Sequence, residues 1–192
     1  HLDMLKQRII SDGVILGTDI LKVDRFLNHQ VDPFLLHEIA TEIKNRYKNT
    51  DITKVLTVEA SGIAIAAFTA LELGVPFVFA KKYNARNLDS DVYEEEVFSF
   101  TKQKTFTIRV SKNYIGKEDK VLIVDDFLAK GGALNGLIGI TEQAGAKVAG
   151  CAIVIEKTFQ GGGDEIRSKG YRVESLAKIA SITDGKITFE EN

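Results

Sequence analysis

Two adjacent carboxylates, Asp125 and Asp126, end the apolar run Val121-Leu122-Ile123-Val124 and are followed at once by Phe127-Leu128-Ala129-Lys130-Gly131-Gly132-Ala133. A run of this kind reads as a central parallel strand, and open α/β sheets bind ligands at the C-terminal ends of such strands. The paired glycines then lead into a helix, whose first backbone amides and dipole make an anion pocket. Carboxylates beside an anion pocket repel its occupant unless one ligand carries both kinds of group. A sugar phosphate does so: the phosphate takes the amides, and the vicinal hydroxyls donate to the carboxylates. The same carboxylates stabilise positive charge developing on a ribose carbon. The segment also fits a plainer reading, a buried strand ending in a solvated acidic pair. A dinucleotide site is not indicated, because no G-x-G-x-x-G follows a strand.

The elements that position this motif form an alternating series from about residue 50. Residues 52–58 read as a strand, 62–73 as an apolar helix stopped by Gly74, and 75–80 as the next strand. Residues 81–96 are polar, mixed in charge and aperiodic, which predicts a long exposed loop of the kind that serves as a lid or binding loop. Residues 97–110 alternate like a hairpin, with Phe106, Ile108 and Val110 on one face and Thr105, Thr107 and Arg109 on the other. Strands are expected at 121–125 and 148–155, with a helix over 131–144 closed by Gly145. The pattern gives an α/β fold, a mostly parallel sheet flanked by helices.

The two ends differ from this series. Leu5 and Ile9 mark a short amphipathic helix, and residues 14–16 and 20–23 read as short strands. Asp32-Pro33 starts a helix, Asp as cap and Pro in first position, with Phe34, Leu35, Leu36, Ile39, Ile43 and Tyr47 at helical spacing. The tail holds a glycine turn at 161–163, a short helix near Ile166, and strands near 171–175 and 187–189. Neither end extends the series neatly. The expectation is one domain of 192 residues, with a core over about 33–156 and a small hood lobe built from about 1–32 and 157–192.

Composition limits the function. Hydrophobic residues are 44% and charged residues 27%, an ordinary globular mix. A net charge of -2 and a pI near 6.0 argue against a dedicated nucleic-acid binder. Cys151 is the single cysteine, so no internal disulfide can form, and its apolar surroundings make it a buried thiol rather than a nucleophile. No apolar stretch is long enough to cross a membrane and no leader is visible, which makes the cytoplasm the default expectation.

Residues 121–133 resemble the PRPP motif of the type I phosphoribosyltransferase family: an apolar strand, two acidic residues and a small-residue phosphate loop. PRPP is phosphoribosyl pyrophosphate. The resemblance implies the type I phosphoribosyltransferase fold and transfer of a 5-phosphoribosyl group from PRPP to a base. It implies Mg²⁺ bound mainly through PRPP and pyrophosphate, with no protein metal ligand named, and a homodimer. It assigns Asp125 and Asp126 to the ribose hydroxyls, and Ala129, Lys130, Gly131, Gly132 and Ala133 to the 5-phosphate. Threonines often stand in the family where this chain has Lys130 and Ala133, so two hydroxyl donors are lost. Lys130 either compensates as a cation or points to solvent.

Glu59-Ala60-Ser61-Gly62 resembles the family's pyrophosphate loop and also fits an ordinary strand-to-helix turn. Some relatives carry arginine where Ser61 stands, so the pyrophosphate charge must be met elsewhere. Lys81 and Lys82 are the donors at hand; otherwise they are solvated loop lysines. Residues 83–96 then become a lid that excludes water, with Asp91, Glu94, Glu95 and Glu96 facing solvent.

Longer segments resemble the bacterial xanthine phosphoribosyltransferases in particular: Leu21-Lys22-Val23-Asp24, Phe26-Leu27-Asn28-His29-Gln30, Val124 through Ala129, Val154-Ile155-Glu156-Lys157-Thr158-Phe159, and Gly170 through Leu176. This resemblance implies that Leu21, Asn28 and Lys157 contact xanthine under the hood. Lys157 offers donors and positive charge to O6 and N7, where adenine presents an amino donor of its own. Without the resemblance, Lys157 reads as a strand-end lysine paired with Glu156, and Asn28 as a turn or capping residue. Two other functions share the motif: a PRPP-sensing regulator that binds nucleic acid, and the same enzyme class acting on guanine, hypoxanthine or adenine. The first lacks its signatures here, with too little chain before residue 14 for a DNA-binding module and no basic surplus.

Overall fold

In the computed structural model, which describes residues 2–86 and 90–190, the apolar run ahead of the acidic pair lies at the centre of an eight-stranded sheet. The chain runs α1 (Leu2–Asp12), β1 (Val14–Leu16), β2 (Ile20–Lys22), a π-helical turn (Asp24–Asn28), α2 (Pro33–Arg46), β3 (Lys54–Val58), α3 (Gly62–Leu73) and β4 (Phe77–Tyr83). It continues with β5 (Val92–Ser99), β6 (Lys104–Ser111), β7 (Lys120–Leu128), α4 (Gly132–Gln143), β8 (Lys147–Lys157), a 3-10 turn (Thr158–Gln160), α5 (Gly162–Ser168), β9 (Val173–Thr183) and β10 (Lys186–Phe189).

The strand order is β10-β9-β8-β7-β3-β4-β6-β5. The central strands β4, β3, β7, β8 and β9 pair in parallel, and antiparallel partners close both edges. From β3 the chain crosses to β4 on one side; from β7 it proceeds through β8 to β9 on the other. The order therefore reverses between β3 and β7, and the crevice beyond their C-terminal ends is where such sheets bind ligands.

Alternation along β7 explains its burial on both faces. Leu122 and Val124 join a core with α1, α2 and α3, while Val121 and Ile123 join a second core with α4 and the β5–β6 hairpin. Asp32 caps α2 as expected, its Oδ1 accepting from the Phe34 and Leu35 amides at 3.0 and 3.3 Å.

Two expectations need correction. Residues 81–96 are not one long loop: β4 runs to Tyr83 and β5 begins at Val92, while 87–89 lie outside the described residues. The acidic run hid the strand because two of its charges are met by β6 and α4. Glu94 pairs in register with Arg109, whose guanidinium binds its carboxylate, and Glu95 accepts from Gln143 Nε2 at 2.7 Å. Glu94 and Glu95 are thus half-buried, and of the four acidic residues only Asp91 and Glu96 face solvent.

The tail also departs from its reading. It does continue the series, because β9 pairs in parallel with β8 and β10 returns against β9. Membership of the main sheet therefore crosses the boundary drawn at residue 157. At the other end, β1 and β2 form a separate two-stranded sheet.

Candidate active site

The N-terminus of α3 and the loop after β7 both approach Asp125. Asp125 and Asp126 lie near the end of β7 and are only 6% and 8% exposed. The Asp126 backbone N–H donates to Asp125 Oδ1 at 2.9 Å. Gly62, the first residue of α3, packs so closely that a Cβ there would overlap the Thr57 hydroxyl and stand 3.5 Å from Asp125 Oδ1. Only glycine lets the N-terminus of α3 seat against the carboxylate. Burial, then the neighbouring charge of Asp126, pushes the Asp125 carboxyl well above its usual range, with Lys82 opposing. Two acids held this dry attract hydroxyl donors and developing positive charge.

The loop expected to hold phosphate follows. Gly131 takes a left-handed conformation (φ +88°) and caps α4 without any side-chain hydrogen bond. Its carbonyl accepts from both the backbone and the side-chain amide of Asn135, each at 2.9 Å, which fixes the turn. The opening amides of α4 are thereby presented as an anion cradle. Lys130 is exposed at its edge. A cleft of about 230 Å³ is lined by residues 129–133, Asp125, Phe127 and the hairpin residues Phe98, Phe100 and Phe106. The hairpin tip reaches this cleft: the Phe98 carbonyl lies against Gly132, and the Phe98 and Phe100 rings meet edge to face at 4.8 Å. The hairpin residues that reach this cleft, 97–101, lie beyond the 83–96 span expected to act as the lid.

Glu59, Ala60 and Ser61 join β3 to α3, with a cis peptide between Glu59 and Ala60. The Glu59 carboxylate accepts from the Lys82 backbone amide at 2.6 Å, and Ser61 caps α3 without a side-chain bond. Lys81 and Lys82 point to opposite faces of β4. Lys82 Nζ stands over the Phe106 ring at 5.3 Å, on the side of Asp125. Lys81 instead lines a separate groove with Phe77, Phe79, Tyr83 and Arg109.

At the far side of the crevice Lys157 ends β8. Its Nζ donates to the Asp19 carbonyl at 2.9 Å and stands 5.7 Å from the centroid of the Phe127 ring. Burial lowers its pKa. The turn joining β1 to β2 is thereby tied to the end of β8. Leu21 is buried in the core beneath, and Asn28 closes the π-helical turn with an exposed side chain. Glu156 does not pair with Lys157; its carboxylate binds Arg167. Phe127, given no role in the sequence reading, lines the same cleft as Asp125.

Residues 23–182 match the family model described as the phosphoribosyl transferase domain. A xanthine phosphoribosyltransferase of Ruminiclostridium cellulolyticum is 55% identical over 99% of this chain and 100% of its own length. The chain belongs to the xanthine phosphoribosyltransferase family. Another member, from Acinetobacter baylyi, is 54% identical over 96% of this chain and 97% of its own. The type I phosphoribosyltransferase fold is confirmed by an adenine phosphoribosyltransferase from Thermoanaerobacter pseudethanolicus, with TM-score 0.76 and 22% identity over 93% of this chain and 99% of that one. An APRTase from Giardia lamblia complexed with 9-deazaadenine gives TM-score 0.72 and 31% identity over 87% and 90%.

Proposed function

We propose that this phosphoribosyltransferase moves the 5-phosphoribosyl group of PRPP onto N9 of xanthine, releasing pyrophosphate and giving xanthosine 5-monophosphate in purine salvage. One observation carries the reading: a buried carboxylate pair ends β7 just before an uncapped helix N-terminus, at the reversal point of a parallel sheet. The 52–55% identity to curated xanthine phosphoribosyltransferases selects the base.

Amides of residues 131–133 hold the 5-phosphate, and Asp125 and Asp126 accept hydrogen bonds from the ribose hydroxyls. The loop at 59–62 and Lys82 receive the pyrophosphate. As the bond from C1 to the pyrophosphate oxygen breaks, its electron pair leaves with pyrophosphate and C1 becomes oxocarbenium-like. The Asp125 and Asp126 carboxylates stabilise that charge, while the N9 lone pair forms the new bond. The N9 proton is lost to solvent, or is already gone where xanthine reacts as its anion. Lys157 donates toward O6 and N7, and Phe127 covers a ring face. The hairpin tip at Phe98 and Phe100 keeps water out. Mg²⁺ would be held mainly by PRPP and pyrophosphate oxygens and by water, with no protein ligand named. The chemistry that ion contributes when bound, mainly through PRPP oxygens, is neutralisation of the departing pyrophosphate.

The protein acts as a homodimer in this reading. The groove of about 420 Å³ at Phe77, Phe79, Tyr83, Arg109 and Tyr114 leaves apolar surface that a second copy would cover. Among the described residues no helix is long and apolar enough to cross a membrane, in keeping with a cytoplasmic setting. The 192 residues act as one domain, with the β1–β2 unit as the main part of the hood.

The test is pyrophosphate release from PRPP and Mg²⁺ with xanthine, guanine, hypoxanthine and adenine in turn. The expected order has xanthine first. Adenine as the best substrate would remove Lys157 from base selection, and no release with any purine would reject the enzyme reading.

A further inference from the structure

Glu156 is among the most deeply buried charges of the described residues, and the mechanism above does not use it. It is 1% exposed, the next-to-last residue of β8. Arg167 of α5 grips it with two hydrogen bonds, NH2 to Oε1 at 2.7 Å and NH1 to Oε2 at 3.0 Å, and Ser175 of β9 donates to Oε1 at 2.5 Å. The same guanidinium also donates to the Val173 carbonyl. Burial alone would raise the Glu156 carboxyl, but the bonds from Arg167 and Ser175 together hold it below its usual range, so it stays ionised.

The clamp reaches the phosphate loop through two glycines. Gly163 sits on the carboxylate so closely that a Cβ would overlap Glu156 Oε2. Gly162 sits on the loop: its N–H donates to the Ala129 carbonyl at 2.9 Å, and a Cβ would overlap the backbone from Ala129 to Gly131. Ile166 of α5 packs against Gly131 as well. One short turn is therefore pressed between a buried ion pair and the backbone that cradles phosphate. Lys157 follows Glu156 on a strand, so its side chain projects to the opposite face.

We propose that Glu156, through Arg167 and the Gly162-Gly163 turn, is a positioning residue for the PRPP 5-phosphate loop and not part of the base pocket. The proposal rests on the phosphoribosyl-transfer reading of that loop. Ion pairs of this type fix geometry more than they add stability, and a small displacement of a cradle costs binding steeply.

The experiment measures KM for PRPP and for xanthine, kcat per active site, and thermal midpoint in wild type, Glu156→Gln, Arg167→Met, Arg167→Lys and Gly162→Ala. Glu156→Gln and Arg167→Met are expected to raise the PRPP KM about tenfold while xanthine KM stays within about threefold. Arg167→Lys, which keeps the charge but not the fork, should fall between them and wild type. Gly162→Ala, which intrudes on the loop without touching the ion pair, should reproduce the PRPP defect. If Glu156→Gln does not fold, Arg167→Lys and Gly162→Ala decide the matter. A lowered midpoint and fewer active sites with both KM values unchanged would make the clamp merely structural and overturn the proposal, as would a rise confined to xanthine KM. A wild-type protein that releases no pyrophosphate would instead reject the parent reading.

Discussion

The Thr57 hydroxyl reaches from β3 to the Val124 carbonyl, 2.6 Å away, and ties the strand leading into the 59–62 loop to the strand bearing the acidic pair. Both residues are fully buried. This side-chain bond extends the β3–β7 pairing one step further, directly beneath Asp125.

Replacing Thr57 by Val keeps the shape and leaves the Val124 carbonyl without that donor. The expected cost is about 1–3 kcal/mol, seen as a thermal midpoint lower by about 2–4 °C for each kcal/mol. Because the bond sits under the site, the PRPP KM should rise as well. Differential scanning calorimetry with initial-rate kinetics checks both.

Burial of Asp125 sets a pH dependence of stability. Its folded pKa is raised above 3.8, so its contribution to stability is fully present below the unfolded value and is lost as pH rises toward the folded one. Above the unfolded value the buried acid is a cost, because the unfolded chain ionises it more readily. Asp125→Asn can still accept the Asp126 N–H, and is expected to raise the thermal midpoint at pH 7 by a few degrees, on the order of 1 kcal/mol. The gain should shrink as pH approaches 4, and turnover should be abolished. Melting curves from pH 4 to 8 provide the measurement; an equal shift at every pH would contradict the account of the buried charge.

The two lysines of β4 should separate. Lys82→Ala is expected to weaken PRPP use by about tenfold or more, a loss of roughly 1.4 kcal/mol of binding. Lys81→Ala, on the opposite face, should leave PRPP KM near wild type and act, if at all, on subunit association. Steady-state kinetics paired with sedimentation velocity distinguishes them.

Lys157→Ala should raise xanthine KM more than PRPP KM. Phe127→Ala is expected to do the same, since its ring stands 5.7 Å from Lys157 Nζ and the proposed function sets both against the base. Equal losses for both substrates would move Lys157 out of the base pocket.

Much of this site was legible because its signals are local. Val121–Asp126 reads as a strand with an acidic end whatever surrounds it, and Gly131-Gly132 marks the turn that needs φ +88°. Gly62 and Gly74 bounded α3 correctly. The illegible parts depend on partners far away in the chain. Glu94 to Glu96 look like loop until Arg109 is brought opposite. The tail looks like a separate lobe until β9 finds β8. Lys81 and Lys82 are equivalent as letters, and only the pleat of β4 tells them apart. Glu156 read as a partner for the strand-end Lys157 because Arg167 and Ser175, which claim it, approach from a later helix and strand. The π-helical turn at Asp24–Asn28 left no periodic trace.

The central claim is that Asp125 and Asp126 grip a ribose whose phosphate sits in the turn after them. A crystal structure with PRPP and Mg²⁺ tests it most directly. The expected result places the ribose hydroxyls at roughly 2.6–3.2 Å from the two carboxylates and the 5-phosphate on the amides of residues 131–133. A sugar phosphate bound elsewhere, with both acids turned from it, would contradict the account.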